Sequence, residues 1–239
     1  MENAVVCTDI TKSFGQGDTH VQVLRKLDLE IRMGQLAMLM GPSGCGKTTL
    51  ISIIAGLLDP TGGQLEVLGE RPGRFKPPDQ ILFRRQNLGF VFQQFNLLPA
   101  LTAAENVAVP LFVAGENRAR AVEKAKHVLS TLGLAHRLNA RPSQLSGGEQ
   151  QRVAIARALI HEPRLILCYE PTSALDAQAG ERVMELLCTV AVRPERAVIV
   201  VTHDTRIVDF ADTIAHMEDG RITRVERGAA LRVANGALA

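Results

Sequence analysis

The stretch GPSGCGKTT, residues 41–49, limits what this chain can fold into more than any other part of it. It satisfies G-x-x-x-x-G-K-[ST] and lies between an apolar run, LAMLM at 36–40, and a helical run, LISIIAGLL at 50–58. A buried strand that feeds a helix through this loop is the context in which the motif cradles phosphates. Gly41, Gly44 and Gly46 let the backbone wrap an anion, and the start of the following helix turns unpaired N–H groups toward negative charge. Pro42, Ser43, Cys45 and Thr49 complete the loop. On this reading Lys47 reaches the β- and γ-phosphates of a nucleotide, and the Thr48 hydroxyl takes Mg²⁺. A glycine-rich turn that binds nothing is the competing reading, and the full match in this setting weighs against it. Cys45 is either a redox-sensitive thiol or simply a small residue in the loop.

Around this loop, short β-rich runs alternate with helical stretches, which predicts an α/β fold with a mostly parallel sheet. Four apolar runs have the length of buried strands: LAMLM (36–40), LGFVF (88–92), LILC (165–168) and AVIVV (197–201). Each ends in polar residues, where open α/β sheets place ligands. Segments 5–14, 21–31 and 64–68 read as a small antiparallel sheet near the N-terminus. Between 94 and 146 the pattern turns helical and Ala-rich, as in RARAVEKAKHVLSTLGL (118–134), and reads as an insert within one domain. The expected division of the single domain 1–239 is a core of 1–93 and 147–239 with a helical subdomain at 94–146. Asp219-Gly220 between IAHME and RITRVE predicts a hairpin. The Ala- and Gly-rich tail after Arg227 is expected to fray.

Composition removes several function classes. The net charge of +2 and the lack of a basic stripe argue against nucleic acid as a partner. One Tyr, no Trp and eight Phe leave few platforms for stacking single strands. Four scattered cysteines without metal-ligand spacing read as reduced thiols. The opening MENAVVCTDITKSF has no positive region followed by a long apolar stretch, so no signal peptide is expected. The apolar runs stop well short of the ~18 residues a membrane span needs. Any work at a membrane therefore requires another chain that crosses it.

The segment LSGGEQQRVAIARAL (145–159) discriminates best among the remaining possibilities. Ser146 followed three residues later by Glu149 forms a capping-box pattern, and the intervening Gly147 and Gly148 leave backbone bare for an anion. A capped helix without a ligand is the plainer reading of these residues alone. The whole string, however, resembles the signature motif of ATP-binding-cassette ATPases, and the likeness extends over nearly the whole chain. That resemblance implies a P-loop NTPase domain of the cassette type, with an N-terminal antiparallel β-subdomain and a helical insert. It also implies ATP clasped between residues 41–49 of one subunit and Ser146, Gly147, Gly148, Glu149 and Gln150 of a second. One copy of each motif then implies a dimer, of identical or similar subunits.

The family's other elements occur in the expected order. Phe14 in TKSFG resembles the aromatic that stacks on adenine, with an ordinary buried Phe as the alternative. Gln93 in GFVFQ resembles the glutamine that touches Mg²⁺ and water and leads into the helical insert. SALD (173–176), ending in Asp176, resembles the loop that crosses the dimer interface. His203 resembles the switch histidine at the γ-phosphate, although a histidine at a strand end is more often structural.

One residue departs from the pattern. LILC is followed by Tyr169-Glu170-Pro171-Thr172, where the family has Asp-Glu. Glu170 fills the general-base position. Tyr169 replaces the carboxylate that holds Mg²⁺ indirectly, and a phenol, uncharged at neutral pH, offers Mg²⁺ far less. Three explanations stand: a weak ATPase beside a competent partner site, an inactivated variant, or a rearranged site with another Mg²⁺ ligand. The expectation is slow hydrolysis with nucleotide binding weakened but retained.

Within the family, QQFNLLPALTAAENVAVPL (93–111) resembles subunits of the lipoprotein-release, macrolide-exporter and glycolipid-exporter group. The resemblance implies integral-membrane permease subunits as partners, facing residues 93–111, and a peripheral place on the cytoplasmic face of the inner (plasma) membrane. Packing of the insert on its own core is the other reading of that apolar run. Cassette ATPases of DNA repair carry a long coiled coil or zinc insert between loop and signature, and residues 50–144 contain no heptads. Cassette regulators of translation carry two such domains, and this length admits one. A nucleotide-binding scaffold without turnover rests on Tyr169 alone.

Overall fold

Alternating side chains in the central strands divide the protein into two cores, and this decides where every loop emerges. The computed structural model describes residues 2–227; the tail expected to fray after Arg227 lies outside the described residues. The chain opens with β1 (Asn3–Phe14) and β2 (Val21–Arg32) and crosses to β3 (Leu36–Met40). It then runs through helix α1 (Lys47–Ile54) and returns in β4 (Gly62–Val67). Strands β2, β1 and β4 pair antiparallel in that order, the small sheet expected near the N-terminus.

After α2 (Pro77–Asn87) come β5 (Leu88–Val91), α3 (Ala103–Val113), α4 (Arg118–Thr131) and α5 (Gly147–Leu159). The chain ends with β6 (Leu165–Tyr169), α6 (Ala177–Leu186), β7 (Ala197–Thr202), β8 (Thr213–Glu218) and β9 (Arg221–Arg227). Among the described residues the second sheet has the order β5-β6-β7-β3-β8-β9, parallel from β5 to β8 and antiparallel at β9. The β8–β9 turn is Asp219-Gly220, with φ of 43° and 75°, the doubly positive geometry that a two-residue hairpin favours.

Parity along the strands assigns each residue to a face. Ala37 and Leu39, Leu165 and Leu167, and Ala197, Ile199 and Val201 pack with α1 and the small sheet. Met38 and Met40, Ile166 and Cys168, and Val198 and Val200 pack with the helical side. Burial on both faces explains why these strands read as continuous apolar runs. No helix among the described residues is long and apolar enough to cross a membrane.

Two capping boxes fix the helices around the insert. Thr102 accepts from the Glu105 N–H at α3, and Ser146 accepts from the Glu149 N–H at α5 (3.3 Å). Asn106, fully buried, accepts from the Leu98 N–H and donates to the carbonyls of Leu98, Leu101 and Thr102, tying the preceding loop to α3. At α5 the Glu149 carboxylate accepts from the Ser146 N–H (2.8 Å) and from Arg137 Nε (2.9 Å). These bonds, the Ser146 N–H foremost, hold the Glu149 carboxyl down at about 2 against the opposing effect of burial.

A carboxylate so depressed contributes stability above the unfolded-state value near ~4.3 and loses it as pH falls toward 2. Glu149→Gln is therefore expected to cost about 2 kcal/mol at neutral pH and to flatten the acid limb of stability between about pH 4 and 2. Urea unfolding across that pH range measures both effects, and an unchanged acid limb would contradict the assignment.

Candidate functional site

The parallel strands of the large sheet all end on one side, so β3, β5, β6 and β7 deliver their exits together. Strand β3 exits into the 41–49 loop, whose glycines are required by close approach. A Cβ at Gly41 would lie 2.1 Å from the Met217 carbonyl oxygen, and one at Gly46, where φ is 107°, 2.8 Å from Met217 Cε. The β8–β9 turn braces the loop from below: Gly220 N–H donates to the Cys45 carbonyl (3.0 Å), and Arg25 N–H donates to the Gly220 carbonyl (2.9 Å). Gly46 caps α1, and its carbonyl accepts from Leu50 N–H. Lys47 is buried, and its amine donates to the carbonyls of Gly41 (2.7 Å) and Pro42 (2.8 Å), 3.8 Å from Cys45 Sγ. Pro42, Ser43, Gly44 and Thr48 are exposed, and Thr49 is half-buried. The outcome is a loop pinned at both ends, with a lysine folded within it and the start of α1 behind.

Gln93 stands exposed just past β5, in a segment that Arg157 holds through the carbonyls of Phe95 (2.8 Å) and Asn96 (2.6 Å). Strand β6 ends in Tyr169, which shares parity with Leu165 and Leu167 and so packs toward α1. Its phenol oxygen accepts a hydrogen bond from the Thr48 hydroxyl at 3.0 Å. Glu170 follows in the left-handed region, φ 48°, with its N–H on the Val201 carbonyl (2.8 Å). That backbone turn, uncommon for a residue with a side chain, carries the carboxyl away from the sheet row and toward the end of β7. There Oε2 accepts from the Thr202 hydroxyl (3.2 Å) and Oε1 meets His203 Nδ1 (2.6 Å). Glu170 is buried, whereas the His203 side chain is 67% exposed.

The expected Mg²⁺ ligands are thus placed differently from one another. Thr48 is spent on a phenol, and Gln93 lies in the exposed loop after β5. Both Glu170 oxygens have partners. Among the described residues no group of three or more His, Cys, Asp or Glu forms a metal-holding cluster. Thr48 and Gln93 would hold Mg²⁺ together with phosphate oxygens, but the assisting carboxylate at residue 169 is replaced by a phenol, so this donor set fits a tightly held Mg²⁺ poorly.

Ser146, Gly147 and Gly148 sit elsewhere, at the start of α5. They line a cavity of about 360 Å³ with Leu175, Asp176 and Arg152, and no residue of the 41–49 loop belongs to it. Asp176 caps α6 by accepting from the Ala179 N–H (2.8 Å), so two helix N-termini face one cavity. Gln150 donates to the Leu145 carbonyl (3.1 Å), and Glu149 is turned inward to Arg137. Phe14, at the end of β1, is 43% exposed with Lys12 Nζ 5.1 Å from its ring centroid, which sets aside the reading of an ordinary core Phe.

Sequence reasoning missed a second cavity, about 480 Å³, lined by Leu57, Arg84, Phe92, Val113, Arg157 and His161. Leu57, Phe92, Leu98 and Val113 are large apolar side chains left exposed around this region. Of these only Leu98 lies within 93–111, a segment that does two jobs. Ala103, Ala104, Val107, Ala108 and Leu111 are buried in the insert's core, while others face outward.

Comparison with known proteins agrees with this geometry. The family model described as ABC transporter matches residues 24–173. A macrolide export ATP-binding/permease protein, MacB, of Brucella melitensis is 46% identical over 90% of this chain, which spans 33% of that relative's length. The lipoprotein-releasing system ATP-binding protein LolD of Shewanella denitrificans is 43% identical over 91% of this chain and 93% of its own. A dimeric structure of MJ0796, a bacterial ABC transporter cassette by its description, superposes with a TM-score of 0.84 at 38% identity. It covers 93% of this chain and 98% of that one. A phosphate loop braced at the head of a parallel sheet, a separate capped signature helix and these likenesses together place the chain in the ABC transporter family.

Proposed function

We propose that this protein is the ATP-binding and ATP-hydrolysing subunit of a transporter that exports or extracts material across the envelope. It acts as a homodimer on integral-membrane permease subunits, at the cytoplasmic face of the inner membrane. The observation that carries this reading is the division of the site. Lys47 and its loop form one half, the Ser146–Asp176 cavity forms the other, and one chain does not join them. Two chains related by a twofold axis complete two such sites. The relatives support it as well, since their names describe macrolide export and lipoprotein release. Residues 93–111 are then the part that faces the permease, and the adjoining 480 Å³ apolar groove with its arginines accepts an amphipathic helix from it.

In the closed dimer, Lys47 exchanges the Gly41 and Pro42 carbonyls for β- and γ-phosphate oxygens. The start of α1 and the opposing start of α5 supply N–H donors and dipoles. Phe14 stacks on adenine. His203 turns from Glu170 to the γ-phosphate, which releases a carboxylate oxygen to accept a proton from water. That water attacks the γ-phosphorus as the bond to ADP breaks, Gln93 helps to orient it, and loss of the shared ligand reopens the dimer. Since residue 169 supplies no carboxylate, turnover is slow. The Thr48–Tyr169 hydrogen bond favours a second reading of the same subunit, one that binds nucleotide and leaves hydrolysis to a competent partner site.

Tyr169→Asp is expected to raise the steady-state ATPase rate by about tenfold or more; equal rates in the two proteins would remove Tyr169 from the mechanism. The two-chain site has its own test in sedimentation velocity. ATP should convert Glu170→Gln protein to a dimer, and adding Ser146→Arg should abolish that dimer while leaving ATP affinity of the monomer within about twofold. Dimerisation undisturbed by Ser146→Arg would contradict the sandwich.

A further inference from the structure

We infer that the phosphate loop of this chain takes its nucleotide without a divalent cation, with the Tyr169 hydroxyl donating to the phosphates where a metal-holding carboxylate would otherwise stand. This rests on the nucleotide reading above and deepens it. Residue 169 closes the row Leu165, Leu167, Tyr169 on the face of β6 that packs with α1, so parity sends its side chain to the start of that helix. The ring bridges over the neighbouring strand, where Tyr169 pairs with Val201 and Val201 with Leu39, and reaches Thr48 at the head of α1. Thr48 donates to the phenol oxygen at 3.0 Å. A phenol that accepts one hydrogen bond still keeps its own O–H to give. Tyr169 therefore adds a donor to a surface that already consists of donors.

The nearby carboxylates of Glu170 and Asp204 are directed at partners other than Thr48. Glu170 is met by Thr202 and His203. Asp204 is met by the Arg206 guanidinium (2.8 and 2.7 Å) and by Thr172 (3.4 Å). Mg²⁺ gives up its water reluctantly and requires near-octahedral oxygen ligands, and a rigid ring with one neutral oxygen is a poor replacement for a carboxylate. What remains is a site for the bare anion: the Lys47 amine, the backbone N–H groups at the start of α1, the helix dipole and one phenol. The ligand class is a nucleoside di- or triphosphate free of metal.

Calorimetric titration with ADP and with ATP, in Mg²⁺ and again in excess EDTA, tests this on the wild type, Tyr169→Phe and Tyr169→Asp. Wild-type affinity should agree between the two conditions within about threefold, and Tyr169→Phe should lose about tenfold in EDTA, the worth of one charge-assisted hydrogen bond. Tyr169→Asp should regain a Mg²⁺ preference of about tenfold or more. Melting curves establish that each variant is folded; if Tyr169→Asp does not fold, the wild-type and Tyr169→Phe arms decide. A wild-type preference for Mg²⁺ of tenfold, or an unaltered Tyr169→Phe, would overturn the inference and leave the nucleotide reading standing. Failure of the wild type to bind under either condition, with binding restored in Tyr169→Asp, would overturn it in the same way. Absence of binding in all three folded proteins would sink the nucleotide reading itself.

Discussion

Strands β3, β5, β6 and β7 are buried on both faces, and from that constraint follows the position of the groups at their ends. A strand packed on two sides has no freedom to rotate or slip, since a shift of one residue would exchange its two faces. The strand ends are therefore fixed in a row, with Gln93, Glu170 and His203 just beyond them and Tyr169, the last residue of β6, hydrogen-bonded to Thr48 of the 41–49 loop. The C-terminal hairpin completes the arrangement from the far side. Gly220 can lie between the loop and β2 because a Cβ there would stand 2.1 Å from the Val23 carbonyl oxygen.

This rigidity makes the identity of residue 169 matter. The side chain at that position cannot turn to the opposite core without disturbing β6, so a carboxylate and a phenol would both point at Thr48. Replacing one by the other alters the charge next to the phosphate loop without altering the loop. Glu170, by contrast, leaves the row through a left-handed turn and is held by β7. Two adjacent residues thus serve different partners, the first the head of α1 and the second the exposed imidazole of His203.

Much of this was legible in the residues. The four apolar runs became β3, β5, β6 and β7, the three N-terminal segments became the small sheet, and Asp219-Gly220 made its turn, each because a local pattern was also the tertiary solution. Ser146 and Glu149 announced the start of α5 by spacing alone. Helix α2 went unread because it buries none of its residues, and its Ile81 and Leu82 face outward. The pairing of Glu149 with Arg137 and the four bonds of Asn106 depend on how the insert packs, which no local pattern encodes. Tyr169 was visible as a departure, yet the destination of its hydroxyl is 121 residues away and follows only from the order β6-β7-β3.

The sequence contains one Tyr and no Trp, so the tyrosine emission of this protein, excited above the phenylalanine band, comes from residue 169 alone. Titrating ADP into the wild type in EDTA while recording that emission tests most directly whether the phenol faces what the loop holds. A saturable change that disappears in Lys47→Ala is the result expected if Tyr169 and the phosphate loop share one ligand. Emission that stays constant at concentrations where calorimetry reports full occupancy would contradict it.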